Sequence, residues 1–143
     1  MNFWDTSAIV PLCVQEPTSA LVTDVLIRDE DMVVWWGTRT ECISALTRQV
    51  REGNLTPLDE RNARYVLHTL TQSWIEMQPS EALRGTAERL VAVHPLRAAD
   101  ALQLGAAIVW CRGIAAGQGF VTFDRRLREA GYREGFTVLP EVV

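Results

Sequence analysis

An α/β fold is expected for this sequence, with a mostly parallel central sheet covered by helices on both faces in a three-layer sandwich. Three features predict it. Five short runs are rich in β-branched, aromatic and other apolar residues, longer stretches between them show helical apolar spacing, and glycines or prolines punctuate the joints. Strands that alternate with helices pair in parallel, because each connection must cross back over the sheet.

The elements follow in order. Residues 1–4 form a short apolar strand. Residues 6–14 read as a helix, and 18–28 as a second, with Leu21, Val22, Val25 and Leu26 on one face. The run 32–36 is β-branched and aromatic, which predicts a buried strand. A helix over 38–52 turns Ile43, Leu46 and Val50 inward and stops at Gly53. Pro57 opens a long helix over 58–74, and 75–77 is a short strand. Residues 79–93 form a helix stopped by His94 and Pro95, and 98–112 an apolar helix ended by Gly113. The last strands are 119–123 and 136–139, with a helix over 125–130 capped by Gly131 between them.

At 143 residues the chain fits one domain, spanning 1–143, and buries enough surface to need no disulfides. Cys13, Cys42 and Cys111 are odd in number, lack CxxC spacing and sit among apolar neighbours, so they read as reduced core residues of a cytoplasmic protein. With only His68 and His94 to help, a zinc site is not expected, and neither histidine falls near an acidic motif. No signal peptide is expected, since the opening residues carry no basic segment and meet Asp5 at once. The apolar stretch 101–110 is far short of the roughly 20 residues that a membrane span requires, so no membrane association is expected. Net charge is −4, and all 14 basic residues are arginines. A net acidic chain is a poor passive binder of nucleic acid, so any such role must use local arginines, bound cations or a basic partner.

Four acids fall where this layout gives them meaning. Asp5 and Asp124 each follow a strand, and ligands of open parallel sheets bind beyond the carboxyl ends of strands. Asp100 opens a helix that is apolar on nearly every side, where a carboxylate is costly unless it is paired or binds a metal. Glu41 lies in the first turn of the helix after the second strand, with Ser44 and Arg48 on the same face. An all-oxygen cluster suits hard cations such as Mg²⁺ or Mn²⁺, which can activate water and stabilise the leaving oxygen of a phosphodiester. Without a cation, carboxylates at close range repel, and some take up protons. Plainer roles stand beside this one. Asp5 and Asp124 also suit helix N-caps, Glu41 a solvated helix position, and Asp100 a pairing with Arg97.

At these residues the chain resembles the PIN-domain family, and within it the VapC-type toxins of toxin–antitoxin pairs. The matching segments are Trp4-Asp5-Thr6-Ser7-Ala8-Ile9-Val10, Thr40-Glu41-Cys42-Ile43-Ser44-Ala45-Leu46, Leu96-Arg97-Ala98-Ala99-Asp100-Ala101-Leu102-Gln103-Leu104 and Val121-Thr122-Phe123-Asp124-Arg125-Arg126-Leu127. They occur in the family's order and span essentially the whole chain. The resemblance implies a PIN-like sandwich and an Mg²⁺- or Mn²⁺-dependent endoribonuclease. It also implies a homodimer, an RNA substrate and a cognate antitoxin that inserts into the active-site groove. Asp5, Glu41, Asp100 and Asp124 match the metal-binding acids, and Thr6, Ser7 and Thr122 the small hydroxyl positions that support them. Two positions depart from the family pattern: Pro11, where a basic residue is common, and Gln103, where His is common.

Arg48, Arg97 and Arg125 are candidates for phosphate contacts, with a solvated or ion-paired surface role as the alternative. Trp35, Trp36, Trp74 and Trp110 are expected in the core or at a dimer contact rather than as base-stacking platforms. Competing readings are a PIN-like nuclease acting on DNA or structured RNA in processing, and a catalytically silent interaction module. A phosphoacceptor receiver domain ranks below both, because that fold pairs its aspartate with a lysine, which this chain lacks.

Overall fold

The computed structural model describes all residues, 1–143. Five strands, β1 (Asn2–Trp4), β2 (Met32–Trp35), β3 (Ile75–Met77), β4 (Gly119–Val121) and β5 (Thr137–Leu139), form one sheet in the order β3-β2-β1-β4-β5. All four pairings are parallel, with Asn2 opposite both Met32 and Gly119. Seven helices connect and cover the strands: α1 (Thr6–Cys13), α2 (Ser19–Arg28), α3 (Thr38–Arg51), α4 (Pro57–Thr71), α5 (Glu81–Val93), α6 (Ala98–Trp110) and α7 (Arg125–Arg133). The expected three-layer α/β sandwich is the architecture found, with an all-parallel sheet.

Successive side chains of a strand point to opposite faces, and the core divides accordingly. Phe3, Val33, Trp35 and Phe120 pack under α5, α6 and α7 with Leu83, Leu90, Leu104 and Leu127. Trp4, Val34 and Val121 face the other way, against Ile9, Val22, Leu46 and Leu67 of α1 to α4. Both faces of the central strands are therefore buried, which is why these runs are continuously apolar rather than alternating.

Several element ends differ from expectation. Strand β2 stops at Trp35, and Trp36 lies in a turn with 54% of its surface exposed, so it is not a core residue. Trp35 and Trp74 are buried as expected, and Trp110 packs against the core at partial burial. Helix α4 ends at Thr71, three residues before Trp74, where the chain turns to enter β3. Helix α7 runs through Gly131 to Arg133, so Gly131 is no cap. A Cβ there would lie 2.9 Å from Cδ1 of Phe120, so this glycine lets the helix approach the sheet. The left-handed position after the helix belongs to Gly135, at φ 100°. We expect Gly131→Ala to destabilise the protein by about 1–3 kcal/mol, through overpacking against Phe120. Denaturant titration checks this, and an unchanged midpoint would contradict it.

The topology fixes one place for ligands. From β1 the chain proceeds to β2 and β3 on one side, then to β4 and β5 on the other. The switch point lies between β1 and β4, where crevices form beyond the strands' carboxyl ends.

Candidate active site

Asp5 leaves the end of β1 at that switch point and is 4% exposed. Its backbone N–H donates to Val121 O of β4 at 3.0 Å, which ties the two strand ends together. Its Oδ2 accepts from Ser7 Oγ at 2.6 Å, from Thr122 Oγ1 at 2.9 Å and from the Ser7 N–H at 3.2 Å. The last bond makes Asp5 the N-cap of α1. Oδ1 accepts no hydrogen bond from the protein. The capping role and a ligand-binding role thus use different oxygens of one carboxylate.

Asp124 has the same division. Its Oδ1 caps α7 by accepting from the Leu127 N–H at 2.9 Å. Its own N–H donates to Thr122 Oγ1 at 3.1 Å, so one hydroxyl supports both Asp5 and Asp124. Ser7 Oγ accepts from the Phe123 N–H at 2.9 Å and completes this support. The three expected hydroxyl positions therefore all engage acids, since Thr6 Oγ1 donates to Glu41 Oε1 at 3.3 Å.

Glu41 projects from the first turn of α3. Its Oε2 accepts from Gln103 Nε2 at 3.2 Å. Gln103 is fully buried, and the same Nε2 donates to Thr38 Oγ1 at 3.0 Å and Thr6 Oγ1 at 3.2 Å. Its Oε1 is sealed from solvent without a partner. A buried amide oxygen left unpaired is costly, so what holds Gln103 here is the set of acceptors around its nitrogen. Gln103 and Thr38 were not anticipated as site residues. The signal for Gln103 was its spacing of three from Asp100, which puts both on one face of α6.

Asp100 stands in the first turn of α6, half-buried rather than sealed, because the buried stretch of α6 begins only at Ala101. It makes no ion pair with Arg97, and none of the four acids forms a salt bridge.

The electrostatics follow from this geometry. Burial raises the pKa of Asp5, opposed by the bonds from Ser7 and Thr122, with the charge of Asp124 adding to the rise. Burial pushes Glu41 up to about 7, and the charge of Asp5 reinforces it. Asp100 is raised by burial and then by Asp124, against a smaller opposing effect of Arg97 and Arg126. Glu41 also feels Asp100, so the four acids form a ring of mutual repulsion that Arg97 and Arg126 offset only in part.

Two depressions open on the other three acids, and Asp5 lines neither. One, of about 730 Å³, is lined by Thr6, Trp35, Trp36, Gly37, Thr40, Glu41, Ser44, Ala45 and Arg48. The other, of about 570 Å³, is lined by Arg97, Ala99, Asp100, Asp124, Arg125 and Arg126. Arg48, Arg97 and Arg125 thus line the depressions that hold the acids, and Arg126 joins them.

Oxygen-only donors with free lone pairs and uncompensated charge fit a hard divalent cation in chemistry. As the side chains stand, no three His, Cys, Asp or Glu residues gather closely enough to enclose one. To enclose an ion, these carboxylates would have to rotate toward each other against their mutual repulsion.

Comparison with solved structures decides the fold. PAE2754 from Pyrobaculum aerophilum superposes with a TM-score of 0.66 at 21% identity, covering 96% of this chain and 87% of that one. VapC20 of Mycobacterium tuberculosis, a sarcin-ricin loop cleaving toxin, superposes with a TM-score of 0.68 at 16% identity, covering 92% of this chain and 95% of its own. The fold is that of a VapC-type PIN domain. No protein-family model and no curated protein sequence matches the chain. This topology explains why Asp5 and Asp124, 119 positions apart in sequence, follow adjacent strands: β1 and β4 are neighbours in the sheet although two strands and six helices lie between them in chain order.

His94 lies outside this site. It is buried and within 2.7 Å of Glu134, which Arg89 also contacts, so it joins α5 to the end of α7. Pro11 is buried in α1, so no positive contact arises there. Cys42 is buried and Cys13 and Cys111 half-buried, all three unbridged. Burial pushes the Cys13 thiol up to about 12, which leaves it unreactive at neutral pH. No helix is long and apolar enough to cross a membrane.

Proposed function

We propose that this chain is a divalent-metal-dependent endoribonuclease and the toxin of a type II toxin–antitoxin pair, acting in the cytoplasm as a homodimer. The observation that carries the reading is the ring of four mutually repelling acids, free of ion pairs, at the switch point of a VapC-type PIN fold. The likeness to VapC20, a toxin that cleaves the sarcin-ricin loop, supports RNA as substrate and an antitoxin as partner.

Asp5, Glu41, Asp100 and Asp124 would hold Mg²⁺ or Mn²⁺. Such a cation supplies charge neutralisation at the scissile phosphate and makes water a better nucleophile at neutral pH. The chain's own residues do the positioning. Ser7 and Thr122 fix Asp5 through Oδ2 and leave Oδ1 free. Thr122 also steadies Asp124 through its backbone N–H, and Gln103 with Thr6 aims Glu41. Arg97, Arg125 and Arg126, along the rim beside Asp100 and Asp124, offer paired N–H donors to backbone phosphates. This rim lets an acidic protein hold a polyanion locally.

The test is RNA cleavage by the purified protein. Cleavage is expected with Mg²⁺ or Mn²⁺, none with EDTA, and a loss of at least about 10²-fold in Asp100→Ala. A folded Asp100→Ala protein that cleaves like the parent would reject the reading.

A further inference from the structure

We infer that Trp36 is a stacking platform for an unpaired nucleobase of the RNA, in a subsite beside the four acids whose phosphate anchor is Arg48. The inference deepens the ribonuclease reading and rests on it.

Trp36 is a large apolar side chain left 54% exposed immediately beyond the end of β2, on the ligand-binding edge of the sheet. It is not loose. Its backbone N–H donates to Met77 O at 3.0 Å, pinning the residue to β3. Its ring meets the buried indole of Trp35 edge-on, with centroids 6.3 Å apart and planes at 71°. Next in the chain, Gly37 lies so close to Trp35 that a Cβ would be 2.6 Å from its Nε1. The glycine lets α3 begin against that ring, which brings Glu41 to the same cavity as Trp36.

The opposite wall is polar and graded in charge. Glu41, Ser44 and Arg48 recur at spacings of three and four along α3 and line the cavity together. Arg48 forms no ion pair, and it lies two turns, about 10 Å, along the helix from Glu41. The 730 Å³ volume is within the range that holds a small organic ligand. An aromatic face, hydroxyls and a free guanidinium are what a single-stranded nucleotide needs: a surface for its base and a cation for its phosphate. In a duplex each base face is already stacked, so this subsite selects unpaired RNA. A purely apolar protein segment would leave Arg48 and Ser44 unused.

Binding of a fluorescein-labelled single-stranded decauridylate, read by anisotropy, tests this. The buffer is low in salt and contains EDTA so that nothing is cleaved. An abasic decamer of the same charge is the control. Trp36→Ala should weaken decauridylate binding by roughly 5- to 150-fold and leave abasic binding unchanged. Trp36→Phe should restore most of the affinity, and Arg48→Ala should weaken both probes. A parent that binds both decamers alike, a Trp36→Ala variant that binds like the parent, or one that loses both probes equally would overturn the inference. So would a Trp36→Ala variant with parental RNA affinity but a lost self-association, which would make this face a protein contact. The comparison reads binding alone, so a failure of the parent to cleave RNA with Mg²⁺ would count against the nuclease reading and leave the subsite result standing.

Discussion

Asp5→Asn is expected to lower RNA cleavage by about 10²–10³-fold while the protein stays folded. The asparagine keeps the size of the side chain and an oxygen to cap α1, where Asn and Asp serve equally well. It removes only the charge. Asp5 is the most enclosed of the four acids and sits where β1 and β4 meet, so no neighbouring carboxylate can take its place. Its pKa is already raised by burial, so folding at neutral pH works against its charged form. The neutral variant should therefore be no less stable than the parent. Loss of activity with retained or increased melting temperature separates a functional acid from a structural cap. Cleavage assays paired with calorimetry measure both, and an active Asp5→Asn protein would count against the assigned role.

Glu41→Gln is expected to stabilise the metal-free protein at pH 8 by about 1–2 kcal/mol and to abolish most of the cleavage. Glu41 titrates near 7 in the folded chain, against an ordinary value of 4.5. A group whose pKa rises on folding contributes stability that is fully present below its unfolded pKa and is lost as pH rises through the folded one. The metal-free parent should thus lose stability between about pH 4.5 and 7, by a few degrees in melting temperature, and stay at the lower level to pH 8. Partial exposure of Glu41 keeps this below the full value of the shift. Asp5 and Asp100 shift in the same direction and add to the slope. Glu134, held low by Arg89 and His94, acts oppositely, but only as pH falls below the ordinary carboxylate range. In Glu41→Gln the amide can offer its oxygen to Gln103 Nε2 and its NH₂ to Thr6 Oγ1, so the packing survives and the slope flattens. Melting curves across this range check it, and a parent that gains stability toward pH 8 would contradict it.

The sheet was legible in the sequence because both of its faces are covered, so β1, β2 and β4 stand out as apolar runs between helical periods. The same double burial hid their ends. With no polar alternation in 32–36, nothing in the pattern separated buried Trp35 from exposed Trp36. Past α4, Leu67, Leu70 and Trp74 keep a helical spacing through a turn, so the period outlasted the helix. Gly131 has the composition of a cap, but it serves a contact with Phe120 that depends on tertiary distance alone.

The acids were legible as positions after strands or in opening helix turns, and their capping roles proved to be real for Asp5 and Asp124 as well. Asp100 was expected to be buried, because its helix is apolar throughout, yet its first turn reaches the rim of the sheet. Gln103 looked like a departure from a family pattern, and its work becomes visible only when Thr6, Thr38 and Glu41, from two other helices, meet at its nitrogen.

Titration of Mn²⁺ into the metal-free protein at pH 7.5, followed by calorimetry, tests the central claim most directly. Saturable binding of one or two ions per chain is predicted for the parent, with affinity reduced at least about tenfold in Asp5→Asn. A parent that takes up no Mn²⁺, or an Asp5→Asn protein that binds it equally well, would contradict the account.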